Sequence, residues 1–374
     1  MARGFDSPCC SKCRSSNFPN TFDWPPSAVS VRKTVLHVGP AQTKGGMGRT
    51  IQRLHNNPPT NWDSDVVVSH ADGGIRSIIT AWHHAKREFF RKIKEKPDLI
   101  HVHTATRFSW YRKRKIIQKA SKQKIPTIVH LHSGAFEEFG KGWIGRDISR
   151  ILNLDRVYPV TLSEYWKEWL EQMVQKEVRL VPNPYRRGLI PISTKHRDIK
   201  MLLLVGRPSP VKGHSLAINA VQQLRDEGHD IYLHLVGTNE EDLPPKLRNK
   251  NGIIAEGWIE DSELNKLMNR AGFLLMPSKH EGMPLSLIDA LASGLPAIVS
   301  NACSSFINQG GVVVSERNIQ TWKQEIKKQI SDIENWKIMS KNSSNDVKEL
   351  DPETDKKRWE AIYNEILEIN SRNQ

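Results

Sequence analysis

The feature of this sequence that most constrains its fold is a repeated alternation between short apolar runs and longer segments with helical periodicity. Two of the runs, KTVLHVG at 33–39 and KMLLLVG at 200–206, end in glycine, and each opens a new series. Short β-branched runs separated by helical segments are typical of parallel strands that helices cover on both faces. The alternation therefore predicts an α/β protein with doubly wound parallel sheets, and its restart at residue 200 predicts two domains.

The positions of the runs define the predicted elements and domains. Strands are predicted at 33–39, 65–69, 98–103, 126–132, 200–206, 231–237, 252–257, 272–277 and 296–300, and helices at 213–227, 261–270 and 284–293. A segment with three prolines, Val181–Ser193, is typical of an interdomain linker. We expect a flexible tail at 1–30, a first domain at 31–187, a second domain at 188–350 and a C-terminal helix at 351–374 that could pack on either domain.

Composition and cysteine usage exclude several classes of protein. With 38% hydrophobic and 26% charged residues the composition is that of a globular protein, and no apolar run is long enough to span a bilayer. Residues 1–30 lack the apolar segment of a secretory signal, so we expect a cytoplasmic location. Cys9, Cys10 and Cys13 are too few for a disulfide framework and lack a second ligand pair for zinc, so we interpret them as part of the polar tail.

The net charge of +14 is concentrated in one half of the molecule. Residues 31–187 contain 29 basic and 14 acidic side chains, whereas residues 188–374 contain 23 and 25. Within the first half, residues 76–124 contain 15 basic and 3 acidic side chains. A positive surplus in one domain indicates an anionic partner for that domain, such as a membrane surface, a nucleic acid or an anionic substrate.

The residues that follow each strand are the candidates for a ligand site, because doubly wound sheets bind ligands beyond the carboxyl ends of their strands. Gly45 and Gly46 follow the first strand and precede a helix, where backbone N–H groups can approach a phosphate or a sugar; a plain strand–helix turn is the alternative. Arg207 and Lys212 flank a turn after the first strand of the second domain. A guanidinium and an ammonium at this spacing suit a diphosphate, and two solvated surface charges are the alternative.

A third candidate follows the apolar run FLLMP. Glu281 precedes a Gly-Met-Pro turn, and Asp289 lies about two helical turns later, on the same face as the helix entry. Two carboxylates in this arrangement can accept hydrogen bonds from a polyhydroxy ligand while the free N–H groups of the helix face its phosphates. A solvated acid pair is the alternative, but the position after a buried strand favours a ligand site.

Four histidines, His101, His103, His130 and His132, occupy alternate positions at the ends of the runs DLIHVH and TIVHLH. Alternate residues of a strand point the same way, so this spacing could hold a metal, but few acids lie nearby and no HExxH pattern occurs. We therefore favour a structural or ligand-contacting role. The DSD triplet at 63–65 precedes its apolar run, and we expect it at the wrong end of the sheet for a metal–nucleotide site.

Taken together, these motifs resemble the retaining glycosyltransferases of family 4. The resemblance rests on VPNP, GRPSPVKG, LHLVG and HEGMPLSLIDALASGLPAIVSN, spans about residues 33–315 and is strongest over 200–300. It implies the GT-B fold, in which two Rossmann-like domains face each other across a cleft. The Glu-x7-Glu signature of the family is matched by Glu281 and, with a departure, by Asp289 at the position that typically contacts the nucleotide ribose.

The resemblance also implies a metal-independent reaction without a cofactor, in which a sugar passes from a UDP-, GDP- or ADP-sugar to a glycan or lipid-linked acceptor. It implies that anomeric configuration is retained through a separated oxocarbenium–diphosphate pair. The implied catalytic residues are Arg207 and Lys212 on the diphosphate, Glu281 on the sugar hydroxyls and His132 near the reacting carbon. The other implied donor contacts are Gly45, Gly46, Gly282, Met283, Pro284, Leu285 and Asp289. A nucleotide-sugar-binding protein without turnover is the alternative, because Asp289 departs from the signature.

The segment 107–124 contains eight basic residues and no acidic one, interleaved with aromatic side chains. Such a segment suits an anionic membrane surface, so we predict peripheral binding of the first, acceptor-side domain to the inner face of the membrane. The predicted contact residues are Arg107, Trp110, Tyr111, Arg112, Lys113, Arg114 and Lys115. One alternative is that much of the charge is solvated and attracts either a polyanionic acceptor or no partner. Nucleic-acid binding is another, but it leaves the donor motifs unexplained, so no nucleic acid is expected.

Overall fold

The computed structural model describes residues 32–70 and 75–372. In the first half of the chain the elements are β1 (Lys33–Gly39), α1 (Gly46–Asn56), β2 (Trp62–Val68), α2 (Ile75–Lys92), β3 (Leu99–Thr104), α3 (Phe108–Lys122), β4 (Thr127–Leu131), α4 (Phe136–Phe139), α5 (Trp143–Leu152), β5 (Val157–Thr161), α6 (Glu164–Glu171) and β6 (Arg179–Leu180). In the second half they are β7 (Asp198–Val205), α7 (His214–Asp226), β8 (Tyr232–Val236), β9 (Ile253–Glu256), α8 (Asp261–Arg270), β10 (Ala271–Met276), α9 (Leu285–Ala292), β11 (Ala297–Ser300), β12 (Gly311–Val314), α10 (Ile319–Ser331), α11 (Ile333–Asn342) and α12 (Pro352–Arg372).

The strands form two parallel six-stranded sheets, which confirms the predicted pair of doubly wound domains. The first sheet has the order β2-β1-β3-β4-β5-β6, and the second has the order β12-β11-β10-β7-β8-β9. In each sheet the winding direction reverses once, between β1 and β3 and between β7 and β10. A crevice opens at such a reversal, beyond the carboxyl ends of the two central strands, and ligands bind there.

The apolar runs predicted most strands to within two residues. β1 and α8 have the predicted bounds, whereas β2 begins three residues early because Trp62, at the start of the strand, is buried. The DSD triplet at 63–65 is therefore part of β2 instead of preceding it. The alternation did not predict β5, β6 and β12. β5 contains Pro159, and β6 and β12 are strands of two and four residues at the edges of the sheets.

α12 returns from the second half of the chain and completes the core of the first domain. Its residues Trp359, Tyr363 and Ile366 are buried in one hydrophobic cluster with residues of the first sheet, including Val35 and Trp62. Polar contacts add to the packing: Arg53 pairs with Asp355, Arg179 pairs with Glu365, and Lys33 Nζ donates to Asn364 Oδ1 at 3.2 Å. α12 therefore packs on the first domain.

α3, which carries the predicted membrane-contact residues, presents part of that set to the core. Trp110 is fully buried and donates from Nε1 to Asp147 Oδ2 at 3.1 Å, and Lys113 is 1% exposed with its Nζ 3.0 Å from Ser109 Oγ. Burial lowers the pKa of Lys113 to about 7. Both residues lie on the apolar stripe of α3 with Ile117, so the prediction that they contact a membrane is wrong. In the described part of the chain, no helix has the length and apolarity needed to cross a bilayer.

The role of α12 can be tested by replacing Trp359 with alanine. Because Trp359 is 1% exposed, removing its ring leaves a cavity, and we expect the free energy of unfolding of the first domain to fall by about 3–5 kcal/mol. Urea denaturation followed by circular dichroism measures this change. The matched control is Lys357→Ala on the exposed face of the same helix, which we expect to change stability by less than about 0.5 kcal/mol. Equal effects of the two substitutions would contradict the packing of α12 on the first sheet.

Candidate active site

A cavity of about 410 Å³ lies between the carboxyl edges of the two sheets. We call it the cleft cavity. It is bounded by the loops that follow β1, β3 and β4 in the first domain and β7, β9 and β10 in the second. The predicted site residues that line it are Gly45, Gly46, His132, Arg207, Lys212, Glu281, Gly282, Met283, Pro284 and Leu285. The fold thus brings together ten of the eleven residues predicted to contact the donor or catalyse its reaction.

The two domains touch through their backbones on one side of this cavity. A Cβ atom added to Gly134 would lie 2.0 Å from the carbonyl oxygen of Glu281, and one added to Gly282 would lie 2.6 Å from the carbonyl oxygen of His132. Only glycine permits so close an approach of two loops. The contact fixes the separation between the loop after β4, which holds His132, and the loop after β10, which holds Glu281.

Arg207 and Lys212 lie on the second-domain side of the cleft cavity, in the loop after β7. Lys212 Nζ lies 2.8 Å from Glu281 Oε1, and the Glu281 side chain is 9% exposed. The Arg207 guanidinium stacks over the ring of Trp258 at 5.8 Å and donates to the carbonyl oxygen of Lys44 in the first domain. The loops after β1 and β7 are therefore joined across the cleft by a cation.

The loop that carries these two cations is anchored by a buried histidine. His214 Nε2 lies 3.2 Å from the carbonyl oxygen of Gly206 and 3.0 Å from Thr238 Oγ1. Burial lowers the pKa of His214 to about 4, so the ring is neutral at physiological pH. A neutral imidazole at this point holds the loop without adding a third positive charge behind Arg207 and Lys212.

Asp289 is the predicted donor-binding residue that the structure does not place at the cleft cavity. Its carboxylate is 1% exposed: Oδ1 accepts from the backbone N–H of Arg186 at 2.9 Å, and Oδ2 accepts from Arg186 Nε at 2.8 Å and Arg49 Nη2 at 3.1 Å. The aspartate side chain is one methylene shorter than the family glutamate, and both of its oxygens already accept hydrogen bonds. The predicted ribose contact is therefore corrected to an ion pair that joins α9 to the linker and to α1.

Several residues of the cleft escaped the sequence reasoning. Arg49, Trp258 and His280 line the cleft cavity, and Arg186 holds Asp289 from the linker. Arg49 follows Gly46 by three residues, and helical spacing places it close to the same end of α1. The sequence spacing could therefore have predicted Arg49 as a cleft residue. Trp258 directly follows the predicted strand at 252–257 and His280 precedes Glu281, so the strand-end rule covered both positions. The residue types alone did not indicate a ligand contact.

The predicted histidine group lies on the face of the first sheet that α12 covers, and it includes a fifth member, His37 of β1. Four of the rings are buried, whereas His132 is partly exposed at the cleft cavity. Hydrogen bonds join rings of neighbouring strands, and His101 Nδ1 lies 2.8 Å from the Tyr363 hydroxyl. Burial lowers the pKa of His37 and His132 to about 3, and it lowers the pKa values of the other three well below the ordinary range. All five imidazoles are therefore neutral at physiological pH.

Ring orientation argues against a metal ion shared by His37, His101 and His103, although their ring nitrogens lie within 4.8 Å of one another. The rings of His101 and His103 are stacked, with centroids 4.1 Å apart and planes 18° from parallel. An imidazole binds a metal in the plane of its ring, at about 2.1 Å for zinc. Two planes so nearly parallel intersect far beyond that distance, so these two rings cannot bind the same ion.

A second cavity, of about 400 Å³, adjoins the cleft cavity and shares Glu281 and Gly282 with it. We call it the side cavity. Tyr165 and Trp166 of α6 line its first-domain wall, and the Tyr165 hydroxyl donates to Glu137 Oε2 at 2.6 Å. The Tyr165 side chain is 53% exposed, so an aromatic face and a carboxylate are both presented to an incoming ligand.

Comparison with known proteins matches both domains. The family profile described as Glycosyltransferase Family 4 matches residues 45–186, and the profile described as Glycosyl transferases group 1 matches residues 189–346. Protein CapJ of Staphylococcus aureus is 31% identical over 96 residues, which are 24% of this chain and 25% of CapJ. Alignments with further curated relatives also cover less than half of each relative's length.

Solved structures match over most of the chain. Sucrose-phosphate synthase from Thermosynechococcus elongatus superposes with a TM-score of 0.74 at 15% identity, over 90% of this chain and 100% of that chain. HepE from Anabaena, solved in complex with UDP, superposes with a TM-score of 0.67 at 14% identity, over 87% and 98%. At such identities the likeness establishes the fold, which is GT-B. With one profile on each side of the linker, the chain belongs to glycosyltransferase family 4.

Proposed function

We propose that this protein is a retaining glycosyltransferase that transfers a sugar from a nucleoside diphosphate sugar to a glycan or lipid-linked acceptor, without a metal. The observation that carries the proposal is the cleft cavity, in which Arg207 and Lys212 face the glycine-lined start of α1 and the start of α9. Two cations and two helix N-termini favour a diphosphate. HepE binds UDP, which supports a nucleotide in the matching cleft of this chain.

In the proposed reaction the bond between the anomeric carbon and the diphosphate oxygen breaks, and the acceptor oxygen bonds to the same face of the sugar. The acceptor proton passes to the departing phosphate oxygen. Arg207 and Lys212 stabilise the charge that develops on the diphosphate, and stabilisation of this kind is the largest contribution in many enzymes. Lys212 has three N–H donors, so it can keep its bond to Glu281 while it donates to a phosphate oxygen.

Glu281 supports a mechanism without a covalent intermediate. Among the described residues, it is the one carboxylate that lines the cleft cavity, and its Oε1 already accepts from Lys212. A carboxylate held in an ion pair is a weak nucleophile, but its free lone pairs remain good acceptors for sugar hydroxyls. We therefore assign Glu281 to the hydroxyls of the donor sugar, close to His132.

The side cavity suits a saccharide acceptor. Sugar rings pack their C–H faces on aromatic side chains, while their hydroxyls bind carboxylates and amides. Tyr165 and Trp166 supply the aromatic faces, and Glu137 and Asn301 supply polar groups in the same cavity. Because Glu281 borders both cavities, an acceptor in the side cavity lies next to the donor sugar.

The acceptor-side domain also offers a surface for an anionic membrane. Phe108 at the start of α3 is 79% exposed and Trp143 at the start of α5 is 62% exposed, and the Trp143 ring stacks on Tyr111 at 6.4 Å. We call these three residues the aromatic edge. Exposed Arg107 directly precedes Phe108, and exposed Lys115 lies on the same helix as Phe108. Aromatic side chains beside basic ones favour the interface of an anionic bilayer, so a lipid-linked acceptor could be met there.

A nucleotide-sugar-binding protein without turnover is the second candidate, and one observation favours it. Asp289 replaces the second glutamate of the family signature and is held by Arg49 and Arg186. Loss of the ribose contact weakens nucleotide binding relative to other members of the family. Binding and turnover must therefore be measured separately.

Donor binding can be measured as thermal stabilisation. UDP-, GDP- and ADP-sugars are added in turn, and a true donor is expected to raise the melting temperature as its concentration rises. At 100 times its dissociation constant, the donor is expected to raise the free energy of unfolding by about 2.7 kcal/mol. Arg207→Ala and Lys212→Ala are each expected to weaken binding at least tenfold, because each removes a charge-assisted hydrogen bond. The control is Lys200→Ala, which removes an exposed lysine paired with Asp230 near the other end of β7. Equal binding by all four proteins would contradict the diphosphate site.

Turnover is measured as release of the nucleoside diphosphate from the donor identified in this way. We expect Glu281→Gln to keep the donor-induced thermal shift within about tenfold in affinity but to slow release about 100-fold, because the amide cannot replace the charged partner of Lys212. The anomeric configuration of the product, determined by NMR, tests retention. Binding by the wild-type protein with no release, even with glycan acceptors present, would support the second candidate.

Membrane binding is tested by sedimentation with vesicles that contain phosphatidylglycerol. We expect binding that decreases with added salt, and a loss of about tenfold in affinity for the double substitution of Phe108 and Trp143 by serine, equivalent to ~1.4 kcal/mol. The matched control is Ile338→Ser, because Ile338 is also exposed, at 58%, but lies in the near-neutral second half of the chain. No binding at low salt would exclude the aromatic edge as a membrane contact.

A further inference from the structure

Three histidines form an unbroken chain of hydrogen bonds from the interior of the first sheet to the cleft cavity. His37 Nδ1 lies 3.1 Å from His103 Nε2, and His103 Nδ1 lies 3.0 Å from His132 Nε2. We propose that His37 and His103 are positioning residues that hold His132 in one tautomer, with its proton on Nδ1 as a hydrogen-bond donor to the ligand in the cleft. The identity of that ligand, the nucleotide sugar, rests on the proposed function.

The chain couples the three rings because each imidazole is neutral. A neutral imidazole has one N–H donor and one nitrogen acceptor. His103 is bonded through both of its nitrogens, so it must accept at one of them and donate at the other. Only two arrangements of protons therefore satisfy both hydrogen bonds, and each arrangement fixes the tautomer of His132.

The buried end of the chain selects between the two arrangements. His37 Nε2 is buried and makes no hydrogen bond to any residue in the described ranges. A proton on this atom would leave a buried N–H group without an acceptor, which is rarer in proteins than an unsatisfied acceptor. The favoured arrangement puts the His37 proton on Nδ1. His37 then donates to His103, His103 donates to His132 Nε2, and the His132 proton is on Nδ1.

The fixed tautomer limits what His132 can do. Because its Nε2 accepts from His103, Nδ1 is the nitrogen available to the cleft cavity, and it carries a proton. His132 can then donate to a sugar hydroxyl or to a phosphate oxygen, but it has no free lone pair with which to remove a proton. The chain thus makes His132 a donor and excludes it as a general base.

A second histidine chain on the same strands provides a matched control. His101 Nε2 lies 3.3 Å from His130 Nδ1, and His101 Nδ1 lies 2.8 Å from the Tyr363 hydroxyl. This chain ends on α12 and makes no hydrogen bond to His132. His101 and His103 are equally buried on β3, so substitution of either one disturbs the same core, but only the His103 change interrupts the chain to the cleft.

Two-bond 1H–15N correlation spectra of the full chain, labelled with 15N only in histidine, show which ring nitrogen is protonated. The signals of His132 are assigned by their loss in His132→Gln. In the ligand-free wild-type protein we expect the pattern of a proton on Nδ1. His103→Leu and His103→Gln are expected to give a mixture of tautomers and a donor affinity about tenfold lower, because leucine has no N–H donor and the longer glutamine side chain puts its amide in the place of Nε2 and not of Nδ1. His101→Leu should leave the tautomer unchanged, and His103→Asn, whose amide N–H can replace Nδ1–H, should restore it.

A wild-type proton on Nε2 of His132 would overturn the proposal, and so would an unchanged tautomer in His103→Gln. The glutamine variant keeps a polar side chain at this position, so the test does not depend on the stability of His103→Leu. The spectra need no ligand, and they therefore separate this proposal from the proposed function. An Nδ1–H pattern without any donor-induced thermal shift would leave the chain of histidines standing and would contradict the nucleotide-sugar site alone.

Discussion

The candidate active site depends on the contact between two loops that have no side chain where they meet. Gly134 lies against the backbone of Glu281, and Gly282 lies against the backbone of His132. Any Cβ atom at these positions would push the sheets apart and widen the cleft. With glycine there, the loops after β4 and β10 are in backbone contact, so residues from the two sheets line one cavity. The side chains next to the two glycines, His132 and Glu281, are thereby brought to the same cavity.

Charge in this cavity is distributed so that most groups are engaged before a ligand arrives. Lys212 pairs with Glu281, and Arg207 donates to the backbone of the opposite domain. Beside the cavity, the buried Asp289 pairs with Arg49 and Arg186. An anion that enters meets oriented donors and needs little reorganisation of the protein. The same arrangement would let the second half of the chain bind the proposed diphosphate although its net charge is slightly negative.

Local sequence patterns were sufficient to predict the strands and site residues whose burial or position follows from their immediate neighbours in the chain. Apolar runs predicted the central strands. Because ligands bind beyond the carboxyl ends of parallel strands, Arg207, Lys212 and Glu281 could be predicted as site residues from their positions after such runs. The failures have a different cause. Trp110 and Lys113 look like surface residues in a basic segment, but helical spacing puts them on the buried stripe, and Asp289 is removed from the cleft by Arg186, which is 103 residues away. Long-range pairing of this kind has no local signature.

The return of α12 to the first sheet has a consequence for how the protein is made. Domains usually fold in the order in which they leave the ribosome. Here Trp359 and Tyr363 belong to the core of the first domain, so that domain waits with one face of its sheet uncovered while the whole second domain is translated, about 10 s or more at ordinary rates of synthesis. The second domain can fold first, although it is encoded second. During this interval that face of the sheet, with its row of histidines, stays exposed to solvent.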